Sequence, residues 1–379
     1  MTGTPISPIQ FIELHSLSTS YKHIFEPSTL ARKCMSAMSS TGQPHISADS
    51  FFHTSSACDP SLSPITIYMI SGNPGLIGYY HTFLSVLSDR LNTQSAQRTR
   101  KNHAFQIYGH SLGGFELTKT PGPKPRYYDL EEQICFVQNK LNDFLTSSSN
   151  ASNGVPSPKP KVILIGHSVG SYIAMEILRR HRERSTSGTS PSVDFDIIGG
   201  VMLFPTVVDI ARSPSGQKLT RMLSFIPQLA VVVGFLVRIL TVLLPGSLLR
   251  SLIRFYMGSP RDNMVETTAA FLESGYGVQQ ALHMAADEMQ TITSDKWSDD
   301  VWGMSDVKDP VTRLFFYFGR NDHWVAEQTR DEIIELRGRT ESGPKMVVCE
   351  EGLPHAFVLK HSDVVAKKVA DMVLDIVKD

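Results

Sequence analysis

Cysteine is scarce in this chain: Cys34, Cys58, Cys135 and Cys349 are the only four among 379 residues. They lie far apart, without a C-x-x-C pair or a nearby histidine cluster. Neither a disulfide framework nor a zinc site is therefore predicted, and a reducing compartment is favoured. The N-terminal residues lack the basic and apolar regions of a signal peptide, so no secretion signal is predicted.

An excess of charge of one sign is also missing. The chain has 36 Lys and Arg residues against 37 Asp and Glu residues, and its formal net charge is -1. A nearly neutral chain gives no reason to expect a nucleic-acid partner. Its 41% hydrophobic and 19% charged residues are ordinary for a globular protein.

Acidic residues are absent from Ile210 to Arg261. Within this stretch, Met222 to Met257 has only three charged residues, Arg238, Arg250 and Arg254. We call residues 222–257 the apolar segment. Its uncharged run before Arg238 is about sixteen residues, which is short of the roughly 20 that a helix needs to cross a bilayer. A membrane-spanning helix is therefore not the preferred interpretation.

The end of the apolar segment has the pattern of an amphipathic helix. In Ser247 to Met257 the serines and arginines predict a polar face, and the opposite face is predicted to carry Leu248, Leu249, Leu252, Ile253 and Tyr256. A basic polar face without acids is typical of a monotopic segment that lies in a membrane interface. A lid packed over an apolar acyl pocket is the alternative, and one segment can do both.

The strongest motif is GHSVG at Gly166 to Gly170. Val162 to Ile165 before it predicts a buried parallel strand, and apolar residues at 169, 173 and 177 after it recur with helical spacing. A strand, a G-x-S-x-G turn and a helix in this order predict a nucleophile elbow. The small flanking residues let neighbouring backbone approach, and the hydroxyl of Ser168 projects above the sheet as the predicted nucleophile.

A second copy of these letters, GHSLG, occupies Gly109 to Gly113. Prolines follow it at 121, 123 and 125, and no helical period is present. Without a following helix there is no elbow, so we interpret Ser111 as a loop residue beside the site.

Strand and helix patterns alternate along the chain. Strands are predicted at 65–70, 104–108, 162–165, 197–204, 314–318 and 346–349, with weaker outer strands at 11–14 and 51–53. The alternation predicts an α/β protein with a mostly parallel, doubly wound sheet, and the elbow makes this the α/β-hydrolase fold. We expect one domain over residues 1–379, with a helical apolar lid or insertion at 206–312 that contains the interfacial, membrane-binding segment 222–257.

Two local features accompany the helix predicted after Asp129. Asp129 and Glu132 have the spacing of an N-terminal cap. The serine-rich run Thr146 to Pro160 is of low complexity and is predicted to be a mobile surface insertion.

A serine nucleophile needs a histidine base and an acid, which follow the serine in the order acid, histidine in this fold. His355 lies between the last predicted strand and the last helix, where the base is expected, and His323 is the alternative. Asp322 follows the strand at 314–318 and is the predicted acid. Asp209 is the second choice, and a turn or helix-cap role is the alternative for Asp322.

The oxyanion hole should use the backbone N–H of Val169, the residue after the nucleophile, and one N–H from the loop after the strand at 65–70. We predict Asn73 as this second donor, because Pro74 has no N–H. The predicted chemistry calls for no metal and no organic cofactor.

Taken together, these segments resemble the lipid droplet-associated hydrolase family. The resemblance rests on Gly72-Asn73-Pro74-Gly75 with Tyr79, Tyr80 and Phe83, on GHSLGG at 109–114, and on LIGHSVGSY at 164–172. It extends from about Ile65 to the last helix. One departure is Ser71, where a proline commonly precedes the Gly-Asn-Pro-Gly run, and this leaves the backbone donor at Asn73 in place.

The resemblance implies an α/β-hydrolase fold, a triad of Ser168, Asp322 and His355, and association with lipid droplets and the endoplasmic reticulum from the cytosolic side. It also implies sterol esters or other neutral lipids, such as acylglycerols, as substrates. The main interpretation is a serine ester hydrolase at a droplet or membrane surface. The alternative is a droplet-binding or organising protein with weak or vestigial hydrolysis; a soluble thioesterase or acyltransferase is a third option that no sequence feature requires.

Overall fold

The computed structural model describes residues 43–54, 63–97, 103–118, 126–150, 158–186, 193–226, 228–304, 312–339 and 343–378. The predicted outer strand at 11–14 lies outside the described residues. The predicted strand at 51–53 is present and is one residue longer at each end.

The described strands form a single eight-stranded sheet in the order β1-β2-β4-β3-β5-β6-β7-β8. Its strands are β1 (His45–Ile46), β2 (Ser50–Thr54), β3 (Ile65–Ile70), β4 (Phe105–His110), β5 (Lys161–His167), β6 (Asp196–Leu203), β7 (Arg313–Gly319) and β8 (Lys345–Cys349). The first two strands pair antiparallel, and β2 pairs antiparallel with β4. All other neighbours are parallel.

The helices that follow these strands are α1 (His81–Gln97), α2 (Leu130–Asn150), α3 (Val169–Thr186), α4 (Pro214–Phe225), α5 (Leu229–Leu243), α6 (Gly246–Tyr256), α7 (Asp262–Glu273), α8 (Gly277–Thr291), α9 (Glu327–Arg337) and α10 (Ser362–Ile376). Helix α10 packs on α1 and β6, and α3 packs on α2 and β5. Since helices cover the sheet, every residue of β3 is buried, as expected for a central parallel strand. The predicted α/β-hydrolase architecture is confirmed.

The start of α2 has the predicted cap. The Asp129 carboxylate accepts the Glu132 N–H at 2.8 Å, and the Glu132 carboxylate accepts the Asp129 N–H at 3.2 Å. The end of this helix corrects the first part of the insertion predicted at Thr146 to Pro160, because α2 continues to Asn150. Residues 151–157 lie outside the described residues. The hydroxyls of Thr146 and Ser147 donate to carbonyl oxygens one turn back, each at 2.8 Å, so both hydroxyls find their acceptors within the helix.

Helices α4 to α8 lie between β6 and β7 and form what we call the insertion, residues 206–304. Helix α5 packs on α7 and α8, and a Cβ built on Gly234 would lie 2.3 Å from the Gln279 side chain. The C-terminal part of the insertion is fixed to the sheet domain: the Trp297 indole N–H donates to the buried Glu176 carboxylate at 2.8 Å. Arg337 lies over the Trp302 ring, 5.4 Å from its centroid.

The amphipathic pattern predicted for Ser247 to Met257 forms helix α6, but its apolar residues divide between two environments. Leu249 and Ile253 pack in a buried cluster with Val265 and Ala269, whereas Leu248, Leu252 and Tyr256 are exposed. The division has a simple cause: α7 covers only part of the apolar face of α6.

The basic face of α6 differs from its sequence pattern. Arg250 pairs with Glu266 at 2.9 Å, and Arg254 pairs with Asp262 at 2.5 Å. The following helix therefore supplies acids that the apolar segment lacks, and these two arginines do not form an unpaired basic surface.

Among the described helices, none is long and apolar enough by itself to cross a membrane. Helices α4 and α5 meet the length and composition requirements only when they are taken as a pair, and this pair is bent by 93°.

Candidate active site

The turn between β5 and α3 has the geometry of a nucleophile elbow. Strand β5 ends at His167, α3 begins at Val169, and Ser168 between them has a φ of 55°. A non-glycine residue in this left-handed region is strained, and such strain is commonly found at functional turns. The glycine at 170 is required by space, because a Cβ there would lie 2.3 Å from the Ile70 carbonyl oxygen.

The structure brings the three predicted side chains into one hydrogen-bonded chain. His355 Nε2 lies 2.9 Å from Ser168 Oγ, and His355 Nδ1 lies 2.7 Å from Asp322 Oδ2. Asp322 and His355 are buried, with 6% and 8% of their surface exposed. The other Asp322 oxygen accepts the Trp324 N–H at 2.8 Å, which fixes the orientation of the carboxylate.

This arrangement determines the proton positions on His355. The Asp322 carboxylate accepts the proton on Nδ1, so Nε2 of the neutral ring has a free lone pair directed at the Ser168 hydroxyl. A serine whose proton can pass to a histidine held in this tautomer is activated for attack on a carbonyl carbon.

The alternatives left open by the sequence, His323 and Asp209, are not part of this hydrogen-bonded chain. His323 lies beside the site, but its Nδ1 bonds to the Ser215 hydroxyl at 2.7 Å, and its burial lowers its pKa. Asp209 begins a short 3-10 turn and lies 3.5 Å from the Arg212 guanidinium.

The second serine motif does not form an elbow. Ser111 follows β4, is buried, and its Oγ accepts the Ile77 N–H at 3.2 Å. Its own N–H donates to the Asp49 carbonyl at 2.9 Å. The hydroxyl therefore ties two loops together.

The backbone N–H groups of Val169 and Asn73 lie near Ser168 and have no acceptor within the part of the chain that the structure describes. Val169 is the first residue of α3, where helix N–H groups lack partners within the helix and favour negative charge. The neighbouring Gly72 N–H donates to the Tyr80 hydroxyl at 2.9 Å. Of the Gly72 and Asn73 N–H groups in this loop, that of Asn73 is thus the one left for a ligand.

Sequence reasoning missed two sets of contacts around this site. The Asn73 side-chain amide donates to the Ala281 carbonyl at 2.9 Å and to the Glu288 carboxyl at 3.0 Å, both on α8. Burial raises the pKa of Glu288 to about 8. Tyr80 and His167 also bond to each other, at 2.7 Å. The two partners of each bond are far apart in sequence, by 215 residues for Asn73 and Glu288 and by 87 for Tyr80 and His167.

No group of three or more His, Cys, Asp or Glu side chains within the described ranges has an arrangement that could hold a metal ion.

Comparison with known proteins gives the family. The model of the lipid droplet-associated hydrolase family matches residues 63–358. The lipid droplet-associated hydrolase of Gallus gallus is 30% identical over 326 residues, covering 84% of this chain and 86% of the relative. That of Homo sapiens is 27% identical over 336 residues, covering 86% and 88%.

Solved structures give the same fold at lower identity. The 2-hydroxy-6-oxo-6-phenylhexa-2,4-dienoate hydrolase from Rhodococcus is 13% identical, with a TM-score of 0.51 over 88% of this chain and 99% of that one. At this identity the likeness shows the α/β-hydrolase fold alone. The match to the family model over most of the chain shows more: this chain belongs to the lipid droplet-associated hydrolase family.

Proposed function

We propose that this protein is a serine carboxylic ester hydrolase that acts on neutral lipids at a lipid surface. The observation that carries the proposal is the continuous chain Ser168–His355–Asp322, whose links measure 2.9 Å and 2.7 Å, at a strand–turn–helix elbow. The family is named as a hydrolase associated with lipid droplets. A carboxylic ester is the functional group of neutral lipids that such a serine attacks.

In the acylation step Ser168 Oγ bonds to the ester carbonyl carbon, while its proton passes to His355 Nε2. Asp322 holds the ring and stabilises the imidazolium that forms. The tetrahedral oxyanion accepts hydrogen bonds from the N–H groups of Val169 and Asn73. When the alkoxy C–O bond breaks, His355 gives its proton to the leaving alcohol.

Deacylation repeats these steps with water. His355 takes a proton from the water whose oxygen attacks the acyl-enzyme carbonyl. The bond to Ser168 Oγ then breaks, the serine recovers its proton from His355, and a fatty acid leaves. Each cycle thus consumes one ester and one water, and yields one alcohol and one acid.

The insertion supplies a surface for lipid. In α5, Phe235, Leu236, Val242 and Leu243 are 61%, 58%, 77% and 74% exposed. Side chains of this kind gain free energy on leaving water, which favours adsorption to the phospholipid monolayer of a droplet or to the cytosolic face of the endoplasmic reticulum. Since Arg250 and Arg254 are paired with acids, apolar area rather than basic charge carries this part of the proposal.

The first test is labelling of the purified full chain with a fluorophosphonate probe, which reacts with activated serines. We expect labelling of the wild type and of Ser111→Ala, and none of Ser168→Ala. Hydrolysis of sterol ester and triacylglycerol emulsions should disappear in the same Ser168→Ala variant. Labelling that persists in Ser168→Ala and disappears in Ser111→Ala would move the nucleophile to the other motif.

A second candidate function is favoured by the exposed insertion: binding and organising lipid droplets with weak or vestigial hydrolysis. It predicts that a folded wild type adsorbs to neutral-lipid emulsions but does not react with the probe, even when lipid is present. Reaction of Ser168 with the probe, together with turnover of the emulsion, would exclude it.

A further inference from the structure

Three buried hydrogen bonds connect the loop after β3 to the backbone of His355. The Gly72 N–H donates to Tyr80 Oη at 2.9 Å, Tyr80 Oη lies 2.7 Å from His167 Nδ1, and His167 Nε2 lies 2.9 Å from the His355 carbonyl oxygen. Tyr80 and His167 are 3% and 5% exposed. We call this series of bonds the Tyr80–His167 link.

The direction of each bond follows from the chemistry of its atoms. A carbonyl oxygen only accepts, so His167 carries its proton on Nε2. Burial, and secondarily the charge of His355, lower the pKa of His167 to about 3, which keeps the ring neutral. Nδ1 of a neutral ring protonated on Nε2 is an acceptor, so the Tyr80 hydroxyl donates to it and accepts the Gly72 N–H.

The two ends of the link and His167 adjoin the reacting groups. Gly72 precedes Asn73, His167 precedes Ser168, and the far end is His355 itself. A Cβ built on Gly72 would lie 3.0 Å from the Ser168 Cβ, so the first loop lies directly on the elbow. Three segments that come from different parts of the chain are thereby held together beside the nucleophile.

From this geometry we propose that Tyr80 and His167 are positioning residues for ester hydrolysis. They fix the backbone of His355 and the Gly72–Asn73 loop relative to Ser168, so that the base and the oxyanion donor keep their places as charge develops. The inference rests on the proposed role of Ser168. Neither side chain is assigned a contact with substrate, and no proton moves along the link.

The surroundings of His167 suit this role. Its ring packs edge-on against Phe357, with centroids 5.1 Å apart, and lies 5.2 Å from the His355 ring. Apolar packing strengthens hydrogen bonds by excluding water. A neutral ring here also avoids the repulsion that a charged one would exert on the His355 imidazolium.

The test compares Tyr80→Phe and His167→Leu with wild type. For each, the rate constant and the end point of fluorophosphonate labelling are measured, together with kcat and KM for a soluble short-chain ester. We expect the labelling rate constant and kcat to fall by about 10- to 100-fold, because displacements of about 1 Å cost rates of this order. The end point and KM should remain near wild type. His167→Gln should recover part of the rate, because its amide supplies one acceptor and one donor.

Tyr68→Phe is the matched control. Tyr68 is 2% exposed, and its hydroxyl donates to the Val137 carbonyl at 3.2 Å, outside the link. This variant should label at the wild-type rate. The opposite result is that Tyr80→Phe and His167→Leu each lower only the end point of labelling, while the folded fraction reacts at the wild-type rate. In that case the two residues are merely structural, and the proposal is overturned.

Ser168→Ala distinguishes failure of this proposal from failure of the proposed hydrolase function on which it rests. Persistent labelling of Ser168→Ala would contradict the proposed function itself. Loss of labelling in Ser168→Ala, combined with wild-type rates in Tyr80→Phe and His167→Leu, would retain the function and reject the link. Tyr80→Phe decides the question if His167→Leu does not fold, since it removes a single hydroxyl.

Discussion

The side-chain amide of Asn73 lies 3.0 Å from the carboxyl of Glu288, which is 4% exposed on the inner side of the insertion. The same amide donates to the Ala281 carbonyl on α8. The loop that carries the proposed oxyanion donor is therefore bonded to the insertion. Because α5 packs on α8, the exposed apolar helix lies only one helix away from this loop.

The buried Glu288 predicts a pH-dependent stability. Its folded-state pKa is raised from 4.5 to about 8, so the unfolded chain releases this proton at lower pH than the folded chain does. Between these two values the folded state binds more protons, and the free energy of unfolding should fall as pH rises, by about 1.4 kcal/mol per pH unit from this group. Urea unfolding between pH 5 and pH 8 measures the slope.

Glu288→Gln should remove this contribution and flatten the slope. Glu266→Gln, which removes an exposed carboxylate from the same insertion, serves as the control for net charge. A wild-type slope that survives in Glu288→Gln would assign the pH dependence to other groups.

The acid of the site can be tested by exchanging each candidate aspartate for asparagine. Asp322→Asn should lower kcat for a soluble ester by roughly 10⁴-fold, because an amide favours the wrong tautomer of His355. Asp209→Asn should stay within about threefold of wild type. Asn tolerates the left-handed φ of 47° at this position, so the control should fold. The reverse ranking of the two variants would identify Asp209 as the acid.

The elbow predicts a steric requirement at Gly170. In Gly170→Ala the new Cβ would lie 2.3 Å from the Ile70 oxygen and 2.7 Å from the Ser71 oxygen, so β3 or α3 must move. We expect at least about 3 kcal/mol of destabilisation by urea unfolding, together with loss of labelling at Ser168. Gly246→Ala is a useful comparison, since its Cβ would meet no backbone atom and only the Arg250 guanidinium, at the far end of a long side chain. A Gly170→Ala protein as stable as Gly246→Ala would refute the close approach.

Adsorption to lipid can be tested with two leucines of equal exposure. Leu243 in the insertion is 74% exposed, and Leu336 on α9 is 71% exposed. Leu243→Asp should weaken partitioning onto phosphatidylcholine-coated triacylglycerol emulsions by roughly 10-fold or more, because burying one leucine contributes about 1.5–3 kcal/mol. Leu336→Asp should partition like wild type. Flotation in a density gradient measures both, and equal losses would show that α5 does not contact the lipid.

Local patterns in the sequence predicted the fold and the three side chains of the candidate site, Ser168, Asp322 and His355. The elbow is readable because strand, turn and helix are contiguous around Ser168, and the Asp129–Glu132 cap spans only four residues. Strand ends place Asp322 and His355 at one edge of the sheet, since the parallel strands are fixed by burial.

Local sequence patterns do not indicate which polar groups bond to each other when the groups are far apart in the chain. Asn73 and Glu288 are 215 residues apart, and no periodicity relates them. The burial of Leu249 but not of Leu248 depends on where α7 packs. Helix α2 extends through Thr146 to Asn150, although the serine-rich composition there predicts a mobile surface insertion.

The exposed apolar side chains of the insertion also bear on the protein before it meets lipid. In water, two copies can shield Phe255 and Tyr256, which are 85% and 92% exposed, by packing their insertions against each other. Self-association and adsorption then draw on the same side chains and compete by mass action. The fraction bound to droplets would therefore depend on protein concentration as well as on lipid area, and dilute protein would adsorb most completely.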